Sequence, residues 1–241
     1  MVNNTSCGYK QLLNRIIRAH DSAAIRAYCR ARFIIININI LHILALCQRG
    51  KRRVLDLGCG FGLFGCYFST LYPEIVYRGY DMNPRRIDMA TQAASRLGLR
   101  NATFCLGDAR QLSLDSQFDA IMMIDLLHHI DDASKHRLLA TCAQHLASDG
   151  RLIIKDVTMH PFPKLAFTWA LDVFMTRGFK MWYWNDDQFH AALGEHFNRV
   201  DTFPITDWLP YPHIVYLCEN TTAEQSAPPP LSSKAIDCQP T

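Results

Sequence analysis

The 241-residue sequence has no C-x-x-C pair, no uninterrupted apolar run of about 18 residues and, before residue 54, a single acid. Its nine cysteines are odd in number and scattered, which excludes the disulfide framework of a small secreted domain and leaves no zinc-ligand spacing. They read as small buried hydrophobes in a reducing compartment, and no metal is expected. The nearest candidate for a spanning helix, Phe33 to Cys47, is interrupted by Asn37, Asn39 and His42. Met1 to Ala19 lacks the apolar core of a secretory signal, so the expected location is cytoplasmic, with peripheral membrane contact left open. The missing acid concentrates charge: ten Lys and Arg against Asp21 give Met1–Arg53 a net +9, leaving −6 for the rest of a +3 chain. Such a segment fits a surface for nucleic acid, anionic lipid or an acidic carrier protein, and equally the solvated basic faces of two amphipathic helices. Its few serines and long apolar run argue against an organelle transit peptide.

What is present describes a folded domain: 49 % hydrophobic and 20 % charged residues. Tyr9, Leu12, Leu13, Ile16 and Ile17 recur at helical spacing, predicting a helix to about Ala19. Asp21 is a candidate N-cap for a second helix toward Cys47, although Ile36 to Ile40 alternates like a strand. Five strands are then expected at Val54–Leu57, Val76–Tyr80, Ala102–Leu106, Phe118–Ile124 and Arg151–Asp156, the last after an Asp149-Gly150 turn. Helices fall between them, to Leu71, over Pro84–Leu97 and over Ala133–Ala147 behind an Asp132 cap. Beyond residue 156 come an apolar helix (Lys164–Arg177), a helix capped by Asn185 or Asp186 running to about Phe197, and two pairing strands (Arg199–Phe203, His213–Cys218). The expected fold is α/β: a Rossmann-like, doubly wound, seven-stranded sheet, mostly parallel with one antiparallel strand near the C-terminus. The expected organisation is a helical cap over 1–50, the main domain over 51–220 and a disordered tail over 221–241, where Pro228-Pro229-Pro230 stands among polar residues.

Between the first strand and the helix after it lies Gly58-Cys59-Gly60-Phe61-Gly62. Glycine is required where a backbone must take φ > 0 or approach a ligand closely. Gly60 to Gly65 also fits G-x-G-x-x-G, the dinucleotide fingerprint. That fingerprint is out of register with the strand end, and Asp56 inside the strand would repel a pyrophosphate while suiting a cationic ligand. Taken singly, Asp56 could be a turn acid, Asp81 an N-cap ahead of Pro84, and Asp108 a turn residue.

Together, Val54 to Gly62 closely resembles the first motif of class I S-adenosylmethionine-dependent methyltransferases, and the resemblance extends over roughly Lys51 to Asp156. It implies that the Gly58 and Gly60 loop wraps the amino-acid end of the cofactor, with Asp56 serving its ammonium, often through water. It implies that Asp81 binds the ribose hydroxyls, that Met82 packs on adenine, and that Asp108 in Gly107-Asp108-Ala109 accepts from the adenine amino group. Asp125, opening Asp125-Leu126-Leu127-His128-His129, would lie beside the methionine part. His129 is then the first candidate base and His160 the second, the alternative being that the paired histidines orient the loop or touch the cofactor.

The fourth strand does not end in the Asn/Asp-Pro-Pro-aromatic tetrapeptide of enzymes that methylate exocyclic amines of bases, and it offers no Pro-Cys nucleophile. The Leu-His-His form resembles members acting on small molecules, including quinones and lipids. Met159 to Trp184 holds eight aromatics in 26 residues, a composition that suits a wall for a flat or greasy acceptor, a core helix or a membrane-interface helix. The expected reaction is in-line methyl transfer to a small hydrophobic acceptor (aryl, polyketide-like or lipid), free or bound to a carrier protein. The alternative is an RNA- or protein-directed methyltransferase using the basic N-terminal segment.

Overall fold

The computed structural model describes residues 6–36, 50–157, 181–205 and 213–220. Two helices, α1 (Ser6–Arg18) and α2 (Ala23–Ile35), precede alternating strands and helices: β1 (Arg53–Leu57), α3 (Leu63–Leu71), β2 (Val76–Asp81), α4 (Pro84–Leu97), β3 (Ala102–Leu106) and β4 (Phe118–Ile124). Then follow α5 (Asp132–His145), β5 (Leu146–Val157), α6 (Asp186–Gly194), β6 (Arg199–Pro204) and β7 (His213–Glu219). The seven strands are ordered β3-β2-β1-β4-β5-β7-β6, and only β7 runs against its neighbours. This is the expected sheet.

Alternation along the strands sends side chains to two cores. Val54, Ala120, Met122 and Ile124 meet α1–α4, where Ile16, Phe33, Phe64 and Phe68 are buried. Leu55, Leu57, Ile121 and Met123 meet α5 and α6, where Leu138, Leu139, Phe189 and Leu193 are buried. The N-terminal helices therefore share the core of the sheet; Phe33 sets its ring edge-on to Phe64 at 6.5 Å. The expected solvated basic faces are in part tied down: Arg15 donates to the Leu97 carbonyl, Arg26 to the His20 and Asp21 carbonyls, and Arg53 pairs with Asp119.

Several boundaries differ from expectation for local reasons. The cap of α2 is Ser22, whose hydroxyl accepts from Ile25 N, rather than Asp21, whose carboxylate pairs with Arg96. The cap of α5 is Asp131, which accepts from Ser134 N; Asp132 is left to receive the Trp184 indole N–H at 2.8 Å. No turn separates α5 from β5, because Leu146 already pairs with Phe118 across a register shift in β4. Asn185 caps α6 through a full capping box with Gln188, and the helix stops at Gly194. The described cysteines 29, 59, 66, 105, 142 and 218 are all free, and Cys105 alone of these is not fully buried. No helix among the described residues is long and apolar enough to cross a membrane. The Lys164–Arg177 helix, most of the aromatic stretch, the residues after Ile36 toward Cys47 and the 221–241 tail lie outside the described residues.

Phe33→Ala should lower stability by about 3 kcal/mol in urea denaturation, because it removes a ring 7 % exposed from the core that joins α2 to the sheet. A loss under about 1 kcal/mol would mean that α2 is not docked on this core.

Candidate active site

A cavity of about 580 Å³ opens at the C-terminal ends of the strands, where β1 and β4 lead in opposite directions across the sheet. The size is that of an ordinary small-molecule site. The glycine loop forms one wall. Gly58, Gly60 and Gly62 all take positive φ, and the Gly58 and Cys59 N–H groups both donate to the Tyr80 carbonyl, at 2.8 and 2.9 Å. A Cβ on Gly62 would strike Ala90 and Phe104 at 2.7–2.9 Å, so this glycine serves packing. A Cβ on Gly60 would meet nothing within 4 Å, so this glycine keeps backbone open to a ligand.

Asp81, 6 % exposed, ends β2 in the cavity wall. One of its oxygens accepts from Gly60 N at 3.0 Å and the other from Asn83 N at 2.8 Å, so its carboxylate is fixed before any ligand arrives. The N-cap of α4 is Asn83. Met82 lies 65 % exposed on the cavity rim, an apolar surface with an open face. Asp108 and Ala109 also line the cavity; Asp108 caps the short turn Ala109–Gln111 and holds the Arg110 guanidinium in a fork, which keeps its carboxyl below the usual range. Asp56 is 1 % exposed and lies under the loop, outside the cavity wall, accepting from the Tyr77 hydroxyl. Burial pushes its carboxyl up to about 7.

Residues 54–150 match a family described as a methyltransferase domain. The chain is similar, at 32 % identity over 109 residues, to an uncharacterized methyltransferase, YcgJ, of Bacillus subtilis; the match covers 45 % of this chain and 42 % of that protein. It is likewise 32 % identical over 110 residues to a ubiquinone biosynthesis O-methyltransferase of Coxiella burnetii, covering 45 % and 44 %. The structure of magnesium protoporphyrin IX methyltransferase from Synechocystis with bound S-adenosylhomocysteine superposes with a TM-score of 0.62 at 18 % identity, over 89 % of this chain and 95 % of that one. Over residues 54–150 the chain matches a methyltransferase domain, on the fold of the class I S-adenosylmethionine-dependent enzymes. Its match spans less than half the length of either curated relative. S-adenosylmethionine is the cofactor of such a domain, and the open Gly60 backbone, the oriented Asp81 and the exposed Met82 face fit it.

The other end of the methyltransferase cavity is rich in charge. Asp125 alone among described non-glycine residues takes positive φ, +53°. Its carboxylate lies between Arg32 of α2, at 2.7 Å, and Lys155 of β5. The two cations hold it ionised far below the usual range against the opposing pull of burial. Lys155 is fully buried, and burial pushes its ammonium down. His213, on β7, faces the same group; burial and the two cations press it down to about 2. His128 and His129, in the turn Leu127–His129, complete this wall. The His128 imidazole bonds Asp156 at 2.5 Å and stacks on Tyr183 at 5.5 Å. Trp182 N donates to the His128 carbonyl at 2.9 Å, so the end of the aromatic stretch is anchored beside the histidines. The other candidate base, His160, lies outside the described residues. The site thus gathers Gly58, Gly60, Asp81, Met82, Asp108, Ala109, Asp125 and His129 around one cavity. Arg32, Lys155, Asp156 and His213 were not anticipated as site residues. The signal for two of them was a Lys-Asp pair ending an otherwise apolar strand, Leu152 to Val157.

Burial and the neighbouring His128 pull His129 down to about 4. A histidine with a folded pKa below its unfolded 6.5 binds protons more weakly when folded, so its stabilising contribution is complete above about pH 6.5 and is lost as pH falls toward 4. His129→Asn should therefore lose less stability than the wild type between pH 6.5 and 4, read from urea midpoints. Parallel losses would refute a neutral, partly buried His129.

Proposed function

We propose that this chain transfers the methyl group of S-adenosylmethionine to a small hydrophobic acceptor seated beside the His128-His129 turn and Tyr183. The observation that carries the proposal is the convergence of a fixed Asp81 carboxylate, an open glycine backbone and the His128-His129 turn on one cavity. The bound cofactor supplies an activated methyl on a sulfonium. The Gly58–Gly60 loop and Asp125 surround its amino-acid end, Asp81 takes the ribose hydroxyls, Met82 covers the adenine face, and Asp108 with Ala109 holds the adenine edge. Asp56 acts through the loop from beneath. The protein's task is alignment and exclusion of water, because the methyl is already reactive. Tyr28, Ala31, Arg32 and Ile35 of α2 roof the cavity and serve that exclusion.

The ubiquinone biosynthesis relative supports an aryl or quinone-like acceptor, and Tyr183 beside His128 offers a flat surface for one. An RNA-directed reading draws less support: Arg15, Arg26, Arg32, Lys51 and Arg53 are engaged within the chain. Arg18 and Arg30 remain exposed for an acidic carrier protein or an anionic surface.

Calorimetry should show S-adenosylmethionine binding, and Asp81→Ala should weaken it at least tenfold, about 1.4 kcal/mol. Unchanged affinity in the variant would remove Asp81 from the cofactor site. Mass spectrometry of aryl, polyketide-like and lipid acceptors should then reveal products heavier by one methylene, and products confined to RNA or protein would overturn the acceptor class.

A further inference from the structure

Gly65, the last glycine of the Gly60–Gly65 pattern, is buried inside α3 and does not line the cavity. A Cβ there would strike the Tyr77 ring at 2.5 and 2.8 Å, so this glycine makes room for a tyrosine. Tyr77, on β2, is completely buried, and its hydroxyl donates to the carboxylate of Asp56, 1 % exposed on the neighbouring strand β1. Gly79 lies directly across from Asp56 in the β1–β2 register. The space that its side chain would fill holds Cys59 of the glycine loop, whose Sγ lies 2.9 Å from the position a Cβ would take. The Gly58 and Cys59 N–H groups are bonded to the Tyr80 carbonyl on the same strand. The Tyr77–Asp56 pair therefore lies under the cofactor loop, tied to it through β2. No Lys, Arg or His pairs with Asp56 among the described residues. A buried carboxyl with a neutral donor and no cation tends to keep its proton.

We propose that Tyr77 and Asp56 form a proton-bearing pair beneath the cofactor loop, that Tyr77 is the positioning residue of this pair, and that seating the cofactor's ammonium on the loop drives the proton of Asp56 into solvent. The inference rests on the cofactor reading above. Asp56 is outside the cavity wall, so it acts on the ammonium through the loop, as an opposite charge across a low-dielectric layer. Burial raises its carboxyl to about 7, with the Tyr77 hydrogen bond opposing the rise and the Asp81 carboxylate adding to it. A cation on the loop favours the carboxylate. Binding then takes one proton from Asp56 to solvent, and no covalent bond besides that O–H is made or broken. The groups that face the pair from the other elements leave this proton to Asp56. The Tyr77 phenol and the Cys59 thiol are pushed well above their usual ranges by burial, and Cys66 of α3 is pushed up to about 12, so all three stay protonated. From β4, Met122 stands in register with Asp56 and carries no charge. Asp81 has Arg86 of α4 at 3.7 Å, and Cys105 of β3 lies beyond Cys59. The sign follows: a protonated Asp56 has to be ionised on binding, so affinity falls as pH drops below about 7 and levels off above it.

Calorimetry of S-adenosylhomocysteine binding to the full chain, in buffers of low and high ionisation enthalpy, counts the proton directly. Near pH 6 the wild type should release about half a proton per cofactor and near pH 8 almost none, with affinity rising about fivefold between the two. Asp56→Asn should abolish the release and flatten the profile. Tyr77→Phe keeps the ring and removes the donor, so the midpoint of the profile should move up by about one pH unit. The wild-type sequence made with 3-fluorotyrosine, a stronger donor, should move it down, a reading that needs no variant to fold. No release by the wild type, equal release by Asp56→Asn, or a midpoint that neither change at Tyr77 moves would overturn the inference while cofactor binding stands. If S-adenosylhomocysteine fails to bind the wild type anywhere in this pH range, the cofactor reading itself falls and takes the proton-bearing pair with it.

Discussion

A carboxylate held between two cations organises the histidine end of the cavity. Asp125 sits where β4 leaves the sheet, in a backbone conformation that a non-glycine residue adopts at a cost of order 1–3 kcal/mol. It is kept there by Lys155 from the adjacent strand and by Arg32 from a helix 93 residues away in sequence. Removing Asp125 would leave the buried Lys155 ammonium without this partner, a loss of about 3–5 kcal/mol. The triad therefore does more than neutralise: it fixes the turn that carries His128 and His129, and it brings α2 down as the roof of the cavity. Asp125 adds a polar tie to the apolar core that docks α2 on the sheet.

The cofactor end is organised differently, by hydrogen bonds from backbone. Tyr80 accepts two N–H groups of the glycine loop and Asp81 accepts a third, so the end of β2 sets the shape of the turn after β1. Positive φ at three glycines gives the loop its path, and the ring of Phe104 from β3 packs where the Gly62 side chain would be. The Tyr80 and Asp81 contacts join neighbouring strands, and Phe104 reaches the loop from one strand further out.

That locality explains how much could be read in advance. The strand alternation, the glycine loop and the acids at 56, 81 and 108 are short-range patterns, and all but Asp56 come to the cavity wall. Asp56 shares its strand face with Tyr77 across the sheet, a pairing visible only once β1 and β2 are in register. The Arg32–Asp125–Lys155 group and the His128–Asp156 pair are contacts between distant segments, and no spacing in the sequence pairs their members. A lysine and an aspartate at the end of an apolar strand were the visible trace. The basic N-terminus is instructive in another way: several of its charges serve carbonyl groups and acids of the same chain, so a count of charge by segment overstated what is offered to a partner.

The last strand among the described residues does not lie at the margin of the sheet. β7 is inserted between β5 and β6, and β6 has no other strand beside it among the described residues. During synthesis, β6 leaves the ribosome with its hydrogen-bonding edge bare and waits for residues 213–219 to emerge. The sheet thus closes from within once β7 is translated, and a chain stalled before that point exposes the edges of β5 and β6 that β7 would cover.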